Sequence, residues 1–120
     1  DMSALAQAKA ANYCGQSIAI KRSGLGINEF KHLFLSGGFA NYINVDNAKK
    51  IGFLIDTPNA NVLKIGNSAL NGAIIYLVNI EERIKIESIV KSIKHVELET
   101  DENFFDHFVE GCQFKELKVM

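Results

Sequence analysis

The stretch Phe34-Leu35-Ser36-Gly37-Gly38-Phe39-Ala40-Asn41-Tyr42 decides the reading of this chain. His32 to Ser36 reads as a short buried strand, and Gly37-Gly38 ends it sharply. A second stretch repeats the grammar: Val62-Leu63-Lys64-Ile65 is a strand closed by Gly66, and Asn67 or Ser68 caps the helix that follows. In α/β folds, ligands bind off the carboxyl ends of strands. A glycine there admits positive φ and removes the Cβ, so a flat ring or a phosphate can lie against main chain. Two such junctions could form two walls of one nucleotide cleft. From the pattern alone, plain tight turns are the commoner case, since strand-to-helix turns commonly use glycine.

Working outward, Ser3 is placed to cap a helix running to about Lys21, with Leu5, Ala8, Gly15 and Ile18 at helical spacing. Asn44 caps a helix over Val45 to Gly52. Leu70, Ile74 and Leu77 or Val78 share a face of the helix ending at Val78. Glu81 to Ile93 forms the next helix, with Ile86, Ile89 or Val90, and Ile93 facing inward. His95 to Glu99 alternates like a half-exposed strand, and Thr100 caps a last helix carrying Phe104, Phe105 and Phe108. Strands alternating with helices predict an α/β fold, a small sheet with helices packed over it. Three strands are few for such a domain, which suggests a companion part. The chain opens at Asp1 with no signal stretch and enters a helix almost at once. This reads as a piece of a longer protein.

Composition narrows the function classes. Of 120 residues, 48% are hydrophobic and 22% charged, ordinary globular usage. The net charge of -1 gives no excess for nucleic acid or an anionic membrane. No apolar run approaches the ~20 residues that span a bilayer. Cys14 and Cys112 are the only cysteines, too few for a disulfide framework or a four-cysteine metal site, and read as small buried hydrophobes. His32, His95 and His107 are not at metal-ligand spacing. Asp101, Glu102 and Asp106 read as acids favoured near a helix start. Gly24-Leu25-Gly26 lacks the third glycine and the strand-to-helix setting of a dinucleotide fingerprint, and no GxxxxGK[ST] loop occurs. Neither catalytic residues nor metal ligands can be assigned from spacing.

Several blocks in order carry a resemblance. They are Leu5-Ala6-Gln7-Ala8-Lys9-Ala10-Ala11, Leu35 to Ile43, Asn47 to Gly52, Ile65 to Ala73, Val96-Glu97-Leu98, and Phe104 to Phe108. Together, over about Asp1 to Phe114, the chain resembles the C-terminal end of the reductive activators of corrinoid proteins. The resemblance implies the C-terminal portion of an actin/Hsp70-like ATPase domain, with residues 1–120 as a single subdomain of it. It implies ATP with Mg as ligand of the full-length protein and a [2Fe–2S] cluster in an N-terminal domain outside this chain. It implies a cytoplasmic protein that returns a Co(II) corrinoid protein to Co(I). The corrinoid protein is the expected partner, with a second copy of the chain as a further candidate. Gly37 and Gly38 match the glycine motif on the adenosine side of the superfamily's cleft, Phe39, Asn41 and Tyr42 continue it, and Gly66 and Asn67 match a second motif. Family members often carry Gly-Ala-Phe-Gly where this chain has Gly37-Gly38-Phe39-Ala40. Segments matching the phosphate hairpins and the Mg-organising acids are not found here. A docking module, or the activator ATPase of another superfamily member, are the competing readings.

Overall fold

The computed structural model describes residues 1–117. The order is α1 (Met2–Ser23), β1 (His32–Ser36), α2 (Gly38–Tyr42), α3 (Val45–Lys50), β2 (Asn61–Gly66), α4 (Ser68–Val78), α5 (Ile80–Ser92) and α6 (Phe104–Gly111). Short 3₁₀ turns fall at Ile27–Glu29 and Leu98–Thr100. Strands β1 and β2 form a two-stranded sheet. The Asn61 N–H donates to the Lys31 carbonyl at one end, and the Gly37 N–H to the Gly66 carbonyl at the other, so the strands run parallel. This is the small sheet with helices of an α/β chain.

The chain divides into two compact units. One comprises Asp1–Leu33, Ile43–Val62 and the residues from Glu97 on; the other comprises Phe34–Tyr42 and Leu63–Val96.

The first unit is built on α1. Asp1, not Ser3, caps it by accepting from the Ser3 N–H, and Gly24 ends it in a left-handed turn. Its alanines keep the helix slim, and α6 packs closely on it. A Cβ on Gly111 would sit 2.8 Å from the Ala10 Cα, so the two backbones meet where neither side chain is large. Ala10, Tyr13, Cys14, Ile18, Ala48, Leu54, Ile55 and Leu117 form the buried apolar set. Lys9 is fully buried, and its ammonium donates to the carbonyls of Gly111 and Gly52. Burial pushes its pKa below the usual lysine range, an effect partly opposed by Cys112. Arg22 clamps the buried Asp101 carboxylate at 2.7 Å and 3.0 Å.

The second unit is built differently. In it α4 and α5 form a hairpin held by polar contacts. The Tyr76 hydroxyl donates to Glu87 at 2.8 Å, and Arg83 donates to the Tyr76 carbonyl at 3.0 Å while lying over the Tyr76 ring. Neither helix has a buried residue. Leu70, Ile74 and both Leu77 and Val78, the alternatives for the predicted shared face of α4, are exposed; of the positions that helical spacing places inward around α5, Ile86 is half-buried, while Ile89, Val90 and the C-capping Ile93 are exposed.

Other expectations change as well. His95 to Glu99 is not a strand, and Leu98 begins a 3₁₀ turn instead. Alternation over five residues cannot make a strand without a neighbouring ladder to pair with. Thr100 lies in that turn and caps nothing; Asn103 stands at the start of α6. Strand β1 alternates exposed and half-buried positions and is not buried throughout. Phe105 is exposed, while Phe104 and Phe108 are half-buried and stacked.

Candidate functional site

The residues singled out in sequence, Gly37, Gly38, Phe39, Asn41, Gly66 and Asn67, all fall in the second unit. The structure brings the two glycine junctions side by side: the Gly37 N–H donates to the Gly66 carbonyl at 2.8 Å. Both glycines are left-handed, with φ of 96° at Gly37 and 63° at Gly66. A side chain at either position would cost roughly 1–2 kcal/mol of backbone strain. A Cβ built on Gly37, Gly38 or Gly66 meets nothing within 4 Å. The turns therefore present open main chain, a surface on which a planar group can rest.

Each junction then enters a helix. Gly38 begins α2, which carries Phe39 and Tyr42 well exposed, 70% and 90% respectively. Asn67 caps α4, its side-chain oxygen accepting from the Leu70 N–H at 3.0 Å. Asn67 thus has a structural task of its own. The Asn41 carbonyl, near the end of α2, accepts from Lys64 Nζ at 3.2 Å, so the strand carries a cation to the negative end of the short helix.

Two residues not singled out as candidates join this assembly. The Ser36 and Ser68 hydroxyls lie 2.6 Å apart, and Ser36 Oγ also donates to the Gly66 carbonyl at 3.2 Å. A serine before one glycine and another two places after the second was the available signal. Without knowledge that the junctions pair, it pointed nowhere.

Among the described residues, no group of three or more His, Cys, Asp or Glu side chains could hold a metal ion. Cys14 is buried and Cys112 half-buried, both as free thiols, and burial pushes the Cys14 thiol up. Two cysteines cannot supply the four ligands of a [2Fe–2S] cluster, so the chain does not fit that group. Among the described residues no helix is long and apolar enough to cross a membrane.

Comparison with known proteins agrees with the sequence resemblance. The chain is 34% identical over 114 residues to the corrinoid activation enzyme RamQ of Eubacterium limosum, covering 95% of this chain and 19% of that protein. It thus spans about a fifth of the length of this curated relative. A family model described as the C-terminal domain of RACo, the ASKHA domain, matches residues 1–120. With an α/β chain and two strand–glycine–helix junctions joined by a hydrogen bond, this match over the whole length places the chain in the family of RACo C-terminal ASKHA domains.

Proposed function

We propose that this chain supplies the adenosine-facing wall of a nucleotide site in a protein that uses ATP to return a corrinoid protein from Co(II) to Co(I). On this reading residues 1–120 are one C-terminal subdomain of a larger ATPase-like domain in a cytoplasmic protein. The observation that carries it is the pairing of Gly37 with Gly66, which sets two stretches of bare backbone next to each other. The family supports nucleotide binding, and the relative's name supports corrinoid activation.

The open Cβ directions at Gly37, Gly38 and Gly66 fit an adenine or ribose face. Phe39 and Asn41 stand on the helix that leaves this wall, and Asn67 fixes the start of the other. Bound ATP would supply the free energy for a change of state between the activator and its corrinoid partner. This chain's residues would hold the base and ribose and carry cleft closure into α2 and α4. Among the described residues no acidic cluster is placed to hold Mg.

A second reading has an observation of its own. Leu70, Ile74, Leu77 and Val78 leave α4 with an exposed apolar face, as a docking module for the corrinoid protein or a second copy would.

Gly38→Val separates the two. Gly38 is outside the left-handed region and its Cβ direction is open, so the variant keeps its fold while a branched side chain stands on the wall. In the intact protein, calorimetry is expected to show ATP affinity at least about tenfold lower, ~1.4 kcal/mol. Unchanged affinity contradicts the nucleotide wall and favours docking.

A further inference from the structure

The glycine wall is open backbone on a unit with almost no buried core, where Ala40 is the one buried residue among those described. Packing therefore does little to fix the two turns relative to each other. The hydrogen bonds around them are then the source of their register. The Gly66 carbonyl accepts twice from the first junction, from the Gly37 N–H at 2.8 Å and from Ser36 Oγ at 3.2 Å. Ser68, at the first position of α4, closes the set through its 2.6 Å contact with Ser36 Oγ. With Ser36 donating to Gly66, Ser68 must donate to Ser36, so the three groups form a directed chain.

We infer that Ser36 and Ser68 form a hydroxyl clasp that holds the two glycine turns in register, making them positioning residues for the nucleotide wall. The inference rests on the nucleotide reading above. Without Ser68, the Ser36 hydroxyl loses the partner that aims it at the Gly66 carbonyl. The Gly37 N–H bond is then left with only an unaimed Ser36 hydroxyl beside it at the Gly66 carbonyl. The α4 cap is unaffected, because Asn67 and not Ser68 supplies it. Ser68→Ala is therefore a mild change to the fold and a direct one to the clasp.

The test compares the parent, Ser68→Ala, Ser68→Thr and Gly38→Val in the full-length protein. Backbone amide exchange is read over residues 34–42 and 61–68, and ATP affinity by calorimetry. Loss of one hydrogen bond in a lightly packed unit should speed exchange of the Gly37 amide about three- to tenfold. ATP affinity should fall by a similar factor, and Ser68→Thr, which keeps the hydroxyl, should restore both. Unchanged exchange in Ser68→Ala overturns the clasp. Faster exchange with parental ATP affinity, while Gly38→Val is impaired, overturns the positioning role and leaves the nucleotide site standing. Parental ATP affinity in both variants overturns the nucleotide reading and the positioning role with it.

Discussion

The two units of this chain solve the problem of stability in different ways. The first buries Tyr13, Ile18, Leu54, Ile55 and Leu117 around α1. The second leaves Leu70, Ile74, Leu77, Val78, Ile84 and Ile89 exposed, and holds itself with Asn67, Asn79, Arg83, Tyr76 and the Ser36–Ser68 pair. The candidate site stands on the second. Regions with few buried apolar contacts open most readily, and moving parts are drawn from them. The proposed nucleotide wall thus stands on the unit with the fewer buried apolar side chains.

Matched substitutions measure this contrast, and the leucines should show it most strongly. Leu54→Ala removes a side chain that is 5% exposed and should cost about 3 kcal/mol, whereas Leu77→Ala, at 74% exposure, should stay within about 0.5 kcal/mol. Urea unfolding of both variants checks the pair. Equal losses would mean that the second unit has a core of its own.

Glycine substitutions give a smaller effect with opposite signs. Gly111→Ala places a Cβ 2.8 Å from the Ala10 Cα and 3.1 Å from the Tyr13 ring, which forces α6 off α1 and should cost about 2 kcal/mol. Gly72→Ala, in the middle of α4 with open space around it, should gain up to about 1 kcal/mol. Thermal melts of the two variants should move in opposite directions.

Acid gives the most localised signature. The Arg22 hydrogen bonds, and then the Asn103 backbone N–H, hold the Asp101 carboxyl below its usual 3.8. A carboxylate depressed in the folded state stabilises above its ordinary pKa, and that contribution is lost as pH falls through the folded value. Stability of the parent should therefore fall with acidification below about 4. Asp101→Asn should remove that part of the slope while leaving the second unit's exchange behaviour unchanged. A parental slope in the variant would count against the Arg22–Asp101 clamp.

Much of this was legible in the sequence where the cause is local. Asn44 and Asn67 are caps because their side chains reach N–H groups three residues on, and both helices begin where expected. The strand–glycine–helix grammar gave both junctions, because positive φ selects glycine whatever lies nearby. Burial was legible at Cys14, Ile18 and Ala48 but not along α4 and α5. The spacing of Leu70, Ile74 and Leu77 marks a helical face but not whether anything covers it. Nor was the ladder partner that His95 to Glu99 lacks, since pairing is a property of the neighbour. The Ser36–Ser68 contact joins residues 32 positions apart, and no local rule reaches that far.

The most direct test of the nucleotide wall is a crystal structure of the intact protein with ATP bound. The adenine or ribose should lie against the main chain of Gly37, Gly38 and Gly66, with the Gly37–Gly66 hydrogen bond intact. Nucleotide density resting away from both glycine turns would contradict the account.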